Sequence, residues 1–165
     1  MSQETIFIEP LSAEAFAPFG QVIALDGAHH YPINSGMTER YHDLARVELG
    51  GVHPRPLISI FRGQPYALPL PLRMVERHPL GSQAFYPIGD AKWLVIVAED
   101  DAGKPCRLRA FAPIPGQGVN IAMNTWHGVL TPLEAESDFL VVDRGGDGNN
   151  LEEYFFEVPY TVTRP

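Results

Sequence analysis

Glycine and proline punctuate this chain from end to end, fifteen of one and sixteen of the other in 165 residues. Proline breaks a helix interior and glycine weakens it, so long helices have little room. Short extended segments joined by tight turns are what such a chain can form. Roughly ten such segments recur at the spacing of sandwiches and barrels. One all-β domain over residues 1–165 is predicted, a β-barrel or sandwich with one or two short helices.

Local signals fill in that outline. Ser12 can cap a short helix in "LSAEAFAPFG", which Pro18 and Gly20 close. "QVIAL" has β-propensity, "DGAHHYPINSGMTE" reads as a polar loop, and "RYHDLARVEL" as a strand or short helix. "PLISIFRG" reads as a buried strand, whereas the prolines of "QPYALPLPL" exclude an interior helix or central strand. "RMVERH" and "SQAFYPI" flank a turn at Pro79–Gly81. "KWLVIVAED" is the strongest central strand, followed by "RLRAFAPI", "GVNIAMN", "WHGVL", "SDFLVVDRGG" and "LEEYFFEV". Tyr154, Phe155 and Phe156 in the last of these cannot share one strand face, so one face needs another cover.

Charge excludes several function classes. The formal net charge is −8, with no basic run, so a nucleic-acid partner is not expected. No apolar stretch approaches the ~20 residues of a membrane span, and the first residues do not read as a signal peptide. A soluble, cytoplasmic protein is the expectation. The single cysteine, Cys106, allows neither an intrachain disulfide nor a multi-cysteine metal site.

Chemistry concentrates in two places. In "MVERHP", alternation puts Glu76 and His78 on one strand face and Arg77 on the other. Beyond the turn, Gln83 and Phe85 share a face on the returning strand. If the faces match, carboxylate, imidazole and amide converge, a set able to hold a divalent metal or a polar substrate. In "NTWHGVL", Trp126 and His127 point to opposite faces, so an aromatic packed one way turns the imidazole the other. "DRGG" at Asp143–Gly146 is too short for a phosphate loop, and Asp143 and Arg144 are expected to pair with each other. His29, His30 and His53 lie in loops and are expected to be solvated.

A hairpin bearing metal-ligand residues, followed by a glycine-rich turn and a "WH" strand, resembles the two motifs of the cupin superfamily. There the first motif supplies two histidines and an acid, the second one more histidine. Glu76 stands at the first histidine position, His78 at the second, Gln83 near the acidic one and His127 in the second motif. The loss of one imidazole and one carboxylate lowers metal affinity or changes selectivity. Over most of its length the chain is also similar to the ureidoglycolate lyase family, called ureidoglycolate hydrolase in older usage. The similarity is carried by "INSGMTERYHDLARVEL", "LISIFRGQP", "ERHPLGSQAFYPI", "NTWHGVL" and "DFLVVDRGG".

That resemblance implies a cupin-like barrel, a homodimer and a place in allantoin and purine breakdown. It also implies cleavage of (S)-ureidoglycolate to glyoxylate and urea, with nickel or another divalent metal as cofactor. His78, His127 and Glu76 are then the catalytic candidates, and His78, Gln83 and His127 the metal ligands. Arg62, Gln83 and Arg40 are candidates for holding the substrate. Arg62 has an equal alternative, an ion pair at the barrel rim; Arg40, Tyr41 and His42 have another, a loop at a dimer interface. Two other functions compete: a different metal-dependent reaction on a small acid, and a non-catalytic binder of such acids.

Overall fold

The computed structural model describes residues 2–165. The strands are β1 (Thr5–Pro10), β2 (Gly20–Ile23), β3 (His30–Ile33), β4 (Thr38–Tyr41), β5 (Arg55–Gly63), β6 (Leu70–Arg77) and β7 (Gln83–Pro87). They continue as β8 (Lys92–Asp101), β9 (Lys104–Ala112), β10 (Gly118–Ile121), β11 (Trp126–His127), β12 (Thr131–Leu133), β13 (Ser137–Gly145) and β14 (Glu152–Thr163). One four-residue helix, α1 (Ala13–Phe16), starts where Ser12 accepts the Ala15 amide at 3.2 Å. No helix among the described residues is long and apolar enough to cross a membrane.

One sheet runs β11-β6-β14-β1-β9-β8-β12, and β11 pairs with β8 as well, so the strands from β6 round to β11 close into a barrel. A second sheet, β2-β10-β7-β13-β5, lies over the β8–β9 side. The barrel encloses one core, with Ile6, Leu72, Ile96, Ala110, Trp126 and Val162 inside. The second core lies between the barrel wall and the other sheet, where Val95, Val97 and Phe111 meet Phe85, Val119, Phe139 and Val141. β8 thus buries both faces, Leu94, Ile96 and Ala98 inward and Trp93, Val95 and Val97 outward. Two buried faces explain its unbroken apolar run.

Four sequence expectations need correction. "PLISIFRG" is an edge strand paired only with β13, and Ile58 and Ile60 are 76% and 64% exposed. An apolar run does not reveal whether both faces are covered. The loop "DGAHHYPINSGMTE" contains strand β3 and part of β4, which pair with each other around a 3₁₀ turn at Asn34–Gly36. Of "RYHDLARVEL", only Arg40 and Tyr41 are in a strand, with no helix. Pro71 lies within a barrel strand, but opposite Thr161 of β14, and β11 joins β6 only at Glu76. The side its missing N–H would serve is therefore unpaired there. In β14, Tyr154 and Phe156 pack on the barrel core while Phe155 is 68% exposed, the split that alternation requires.

Candidate active site

His127 pairs with both Val97 and Glu76 across the barrel wall. It therefore shares a face with Val97, pointing into the space between wall and second sheet, while Trp126 turns into the barrel. Arg77, opposite in sense to Glu76, lies 4.2 Å over the Trp126 ring and bonds Asp100 and Glu152. From the second sheet, Gln83 shares the inward face of β7 with Phe85, and Asp143 that of β13 with Val141 and Phe139. The interlayer core is apolar along most of its length and polar at this one end.

The polar end is tightly organised. The rings of His78 and His127 are 5.1 Å apart between centroids, and ligand atoms of Glu76, His78 and His127 all lie within 4.8 Å of one another. His127 is buried and donates from Nδ1 to the Gly128 carbonyl at 2.9 Å, leaving Nε2 with a lone pair and no partner. Its burial pushes its pKa down to about 4, with the neighbouring His78 acting in the same direction. Burial raises the Glu76 carboxyl above the usual carboxylate range, against the pull of His78 and with help from Glu153.

His78 donates from Nδ1 to the Asn150 carbonyl at 2.8 Å, which turns Nε2 toward Gln83 Oε1 at 3.1 Å. The Gln83 amide nitrogen donates to Asp143 Oδ2 at 3.2 Å. With Nδ1 donating to Asn150, His78 Nε2 and Gln83 Oε1 face each other as acceptors, a pair that either a proton on Nε2 or a bound cation would join. Both histidines are anchored through Nδ1 to a backbone carbonyl, the outer partner that metal-binding imidazoles use. The donor set, two imidazoles, an amide oxygen and a carboxylate, suits a divalent metal such as nickel or zinc.

Glu76, His78, Gln83 and His127 are therefore brought together, and the two arginines are not. Arg62 stands on the outer face of β5, bonded to Asp138 at 2.9 and 3.1 Å and beside Glu136. These carboxylates raise its pKa. Arg40 is exposed on β4, whose only strand partner among the described residues is β3. On the same hairpin Tyr41 stacks on His30, which bonds Glu39 at 2.7 Å; in the loop before β5, His53 bonds Asp147 at 2.8 Å. These histidines are solvated, as expected, but His30 and His53 have acidic partners. Asp143 and Arg144 do not pair. Adjacent strand residues face opposite ways, and Arg144 is buried against the carbonyls of Gly50, Val52 and Asp147. Asp143 and Asn150 are the contributors the motifs did not indicate, and they come from far along the chain.

The comparisons agree with one another. A family model described as ureidoglycolate lyase matches residues 3–163. The ureidoglycolate lyase of Chelativorans sp. (strain BNC1) is 61% identical over 160 residues, covering 97% of each chain. Ureidoglycolate lyase 2 of Rhizobium meliloti (strain 1021) is 59% identical, over 94% of this chain and 95% of its own. The ureidoglycolate lyase of Mesorhizobium japonicum is 56% identical, over 97% and 98%. With such identity over almost the full length of both partners, the chain belongs to the ureidoglycolate lyase family.

Proposed function

We propose that this protein cleaves ureidoglycolate to glyoxylate and urea, and that the polar end of the interlayer core is where it does so. The observation that carries the reading is the convergence of Glu76, His78, Gln83 and His127, with an unpartnered His127 Nε2, in a chain of this family.

The chemistry asks for little. The carbinol C–N bond breaks, its electron pair goes to the urea nitrogen, and the hydroxyl oxygen becomes the glyoxylate carbonyl as its proton leaves. One proton departs from oxygen and one arrives at nitrogen, so a single carrier serves both ends. Glu76 suits that task, because its carboxyl lies beside both imidazoles and burial favours its protonated form. His127 stays neutral there, and its Nε2 lone pair is a ligand rather than an acid. His78 Nε2, Gln83 Oε1 and His127 Nε2 would hold a divalent cation, nickel by family resemblance, with Glu76 beside it. Such an ion, when bound, would supply Lewis acidity toward the substrate's oxygens. Arg62, bonded to Asp138 beside Glu136, and Arg40, exposed on β4, both stand outside the cluster.

Glyoxylate release from ureidoglycolate tests this reading. The purified protein exceeds the spontaneous rate, and His127→Ala, with unchanged far-UV circular dichroism, loses about a hundredfold or more. Release no faster than background by the wild type would sink it. We further propose a cytoplasmic homodimer acting in allantoin and purine breakdown, on the strength of the family resemblance.

A further inference from the structure

We infer that Asp143 is a positioning residue, one that turns the Gln83 amide so that its oxygen, not its nitrogen, faces His78. The inference rests on the reading of the cluster as a metal centre and extends it outward by one residue.

An amide has two ends of similar shape and opposite function: the oxygen can bind a cation and the NH₂ cannot. Which end faces the site is set by what meets the other end. Along β13 and β7, Val142 pairs with Ala84, so one residue further on Asp143 and Gln83 come opposite each other. A carboxylate only accepts, and Asp143 Oδ2 lies 3.2 Å from Gln83 Nε2. The nitrogen is thereby held on the β13 side and Oε1 on the His78 side, 3.1 Å from Nε2. Gln83 is buried, so this choice is not blurred by water. Backbone carbonyls do the equivalent work for His78 and His127.

Polarity reversal follows from this. Gln83→Glu alone sets two carboxylates against each other at hydrogen-bond distance, which disfavours ionising both. Adding Asp143→Asn restores the bond with its direction reversed, the new amide donating to the new carboxylate.

The experiment titrates metal-free protein with Ni²⁺ by calorimetry, with thermal unfolding as the folding control. Asp143→Ala is expected to weaken nickel binding about tenfold or more. Asp143→Asn, which keeps an acceptor oxygen, should lose less. The Gln83→Glu/Asp143→Asn pair should bind at least tenfold more tightly than Gln83→Glu alone. A second readout needs no metal: the side-chain N–H₂ signals of Gln83 in ¹⁵N-labelled protein, assigned by their loss in Gln83→Glu. They should exchange slowly with solvent in the wild type and rapidly in Asp143→Ala. Unchanged exchange in Asp143→Ala overturns the role of Asp143, as does a double variant no better than Gln83→Glu. A wild type that takes up no nickel overturns the metal centre instead, and the amide signals then decide on Asp143.

Discussion

His127 shows how one residue's surroundings set both its chemistry and its effect on stability. Metal-free folded protein keeps this ring neutral down to about pH 4, whereas an unfolded chain protonates it near 6.5. Between these values the unfolded state binds more protons, so stability rises with pH. His127 imposes no such cost above pH 6.5, and its neutral burial costs about 3 kcal/mol once pH has fallen through 4. Glu76, whose raised pKa favours its protonated form in the fold, acts in the opposite direction as pH falls. Urea unfolding of chelator-treated protein at pH 7 and pH 4.5 should therefore differ less in His127→Gln than in the wild type. An equal difference would mean that His127 is not protected from protonation. At this scale much of the candidate site was legible. Alternation alone put Glu76 beside His78 and turned His127 away from Trp126. Asp143 and Asn150 were not legible, because their contacts with Gln83 and His78 span 60 and 72 residues. No local pattern records a partner that far away.

Among the elements, the turn joining β6 to β7 carries the most weight, since His78 and Gln83 stand at its two ends. It is stitched down from several directions. Leu80 N–H donates to Asn150 Oδ1 at 2.7 Å, Gly50 N–H to the Leu80 carbonyl at 2.8 Å, and Asn124 N–H to the His78 carbonyl at 2.9 Å. Buried Arg144 passes so close under the turn that a Cβ on Gly81 would meet its Cβ at 2.5 Å. Gly81→Ala should therefore displace the turn, cost about 1–3 kcal/mol in urea unfolding, and weaken nickel binding with it. A fully stable Gly81→Ala with native nickel affinity would show that the turn has room to spare. The β3–β4 hairpin was illegible for a related reason. Asn34 and Ser35 adopt left-handed conformations at its tip, and the flanking "HHYPI" and "TERY" lack the apolar alternation by which a half-buried strand is recognised.

On the scale of the whole molecule, glycine and proline density foretold an all-β fold, and the described residues are almost all strand and turn. What composition could not convey is the division into two cores sharing β8, because a run buried on both faces reads the same whichever layers cover it. The same ambiguity hid the outer face of the second sheet. There Ile58, Ile60, Leu140 and Tyr86 are exposed side by side across β5, β13 and β7. Contiguous exposed apolar surface of this kind is common at subunit contacts. The proposed homodimer predicts a light-scattering mass of twice the 18.3 kDa chain at micromolar concentration. A mass of one chain across that range would reject it.

The central claim is that this polar end of the interlayer core is the metal-bearing reaction centre. Crystals grown with nickel and glyoxylate, measured at the nickel absorption edge, test it most directly. The anomalous peak should lie within about 2.0–2.2 Å of His78 Nε2 and His127 Nε2, with Gln83 Oε1 and a Glu76 oxygen also facing it. A peak on the histidine-bearing β3–β4 hairpin, or fully loaded crystals with no peak between His78 and His127, would contradict the account.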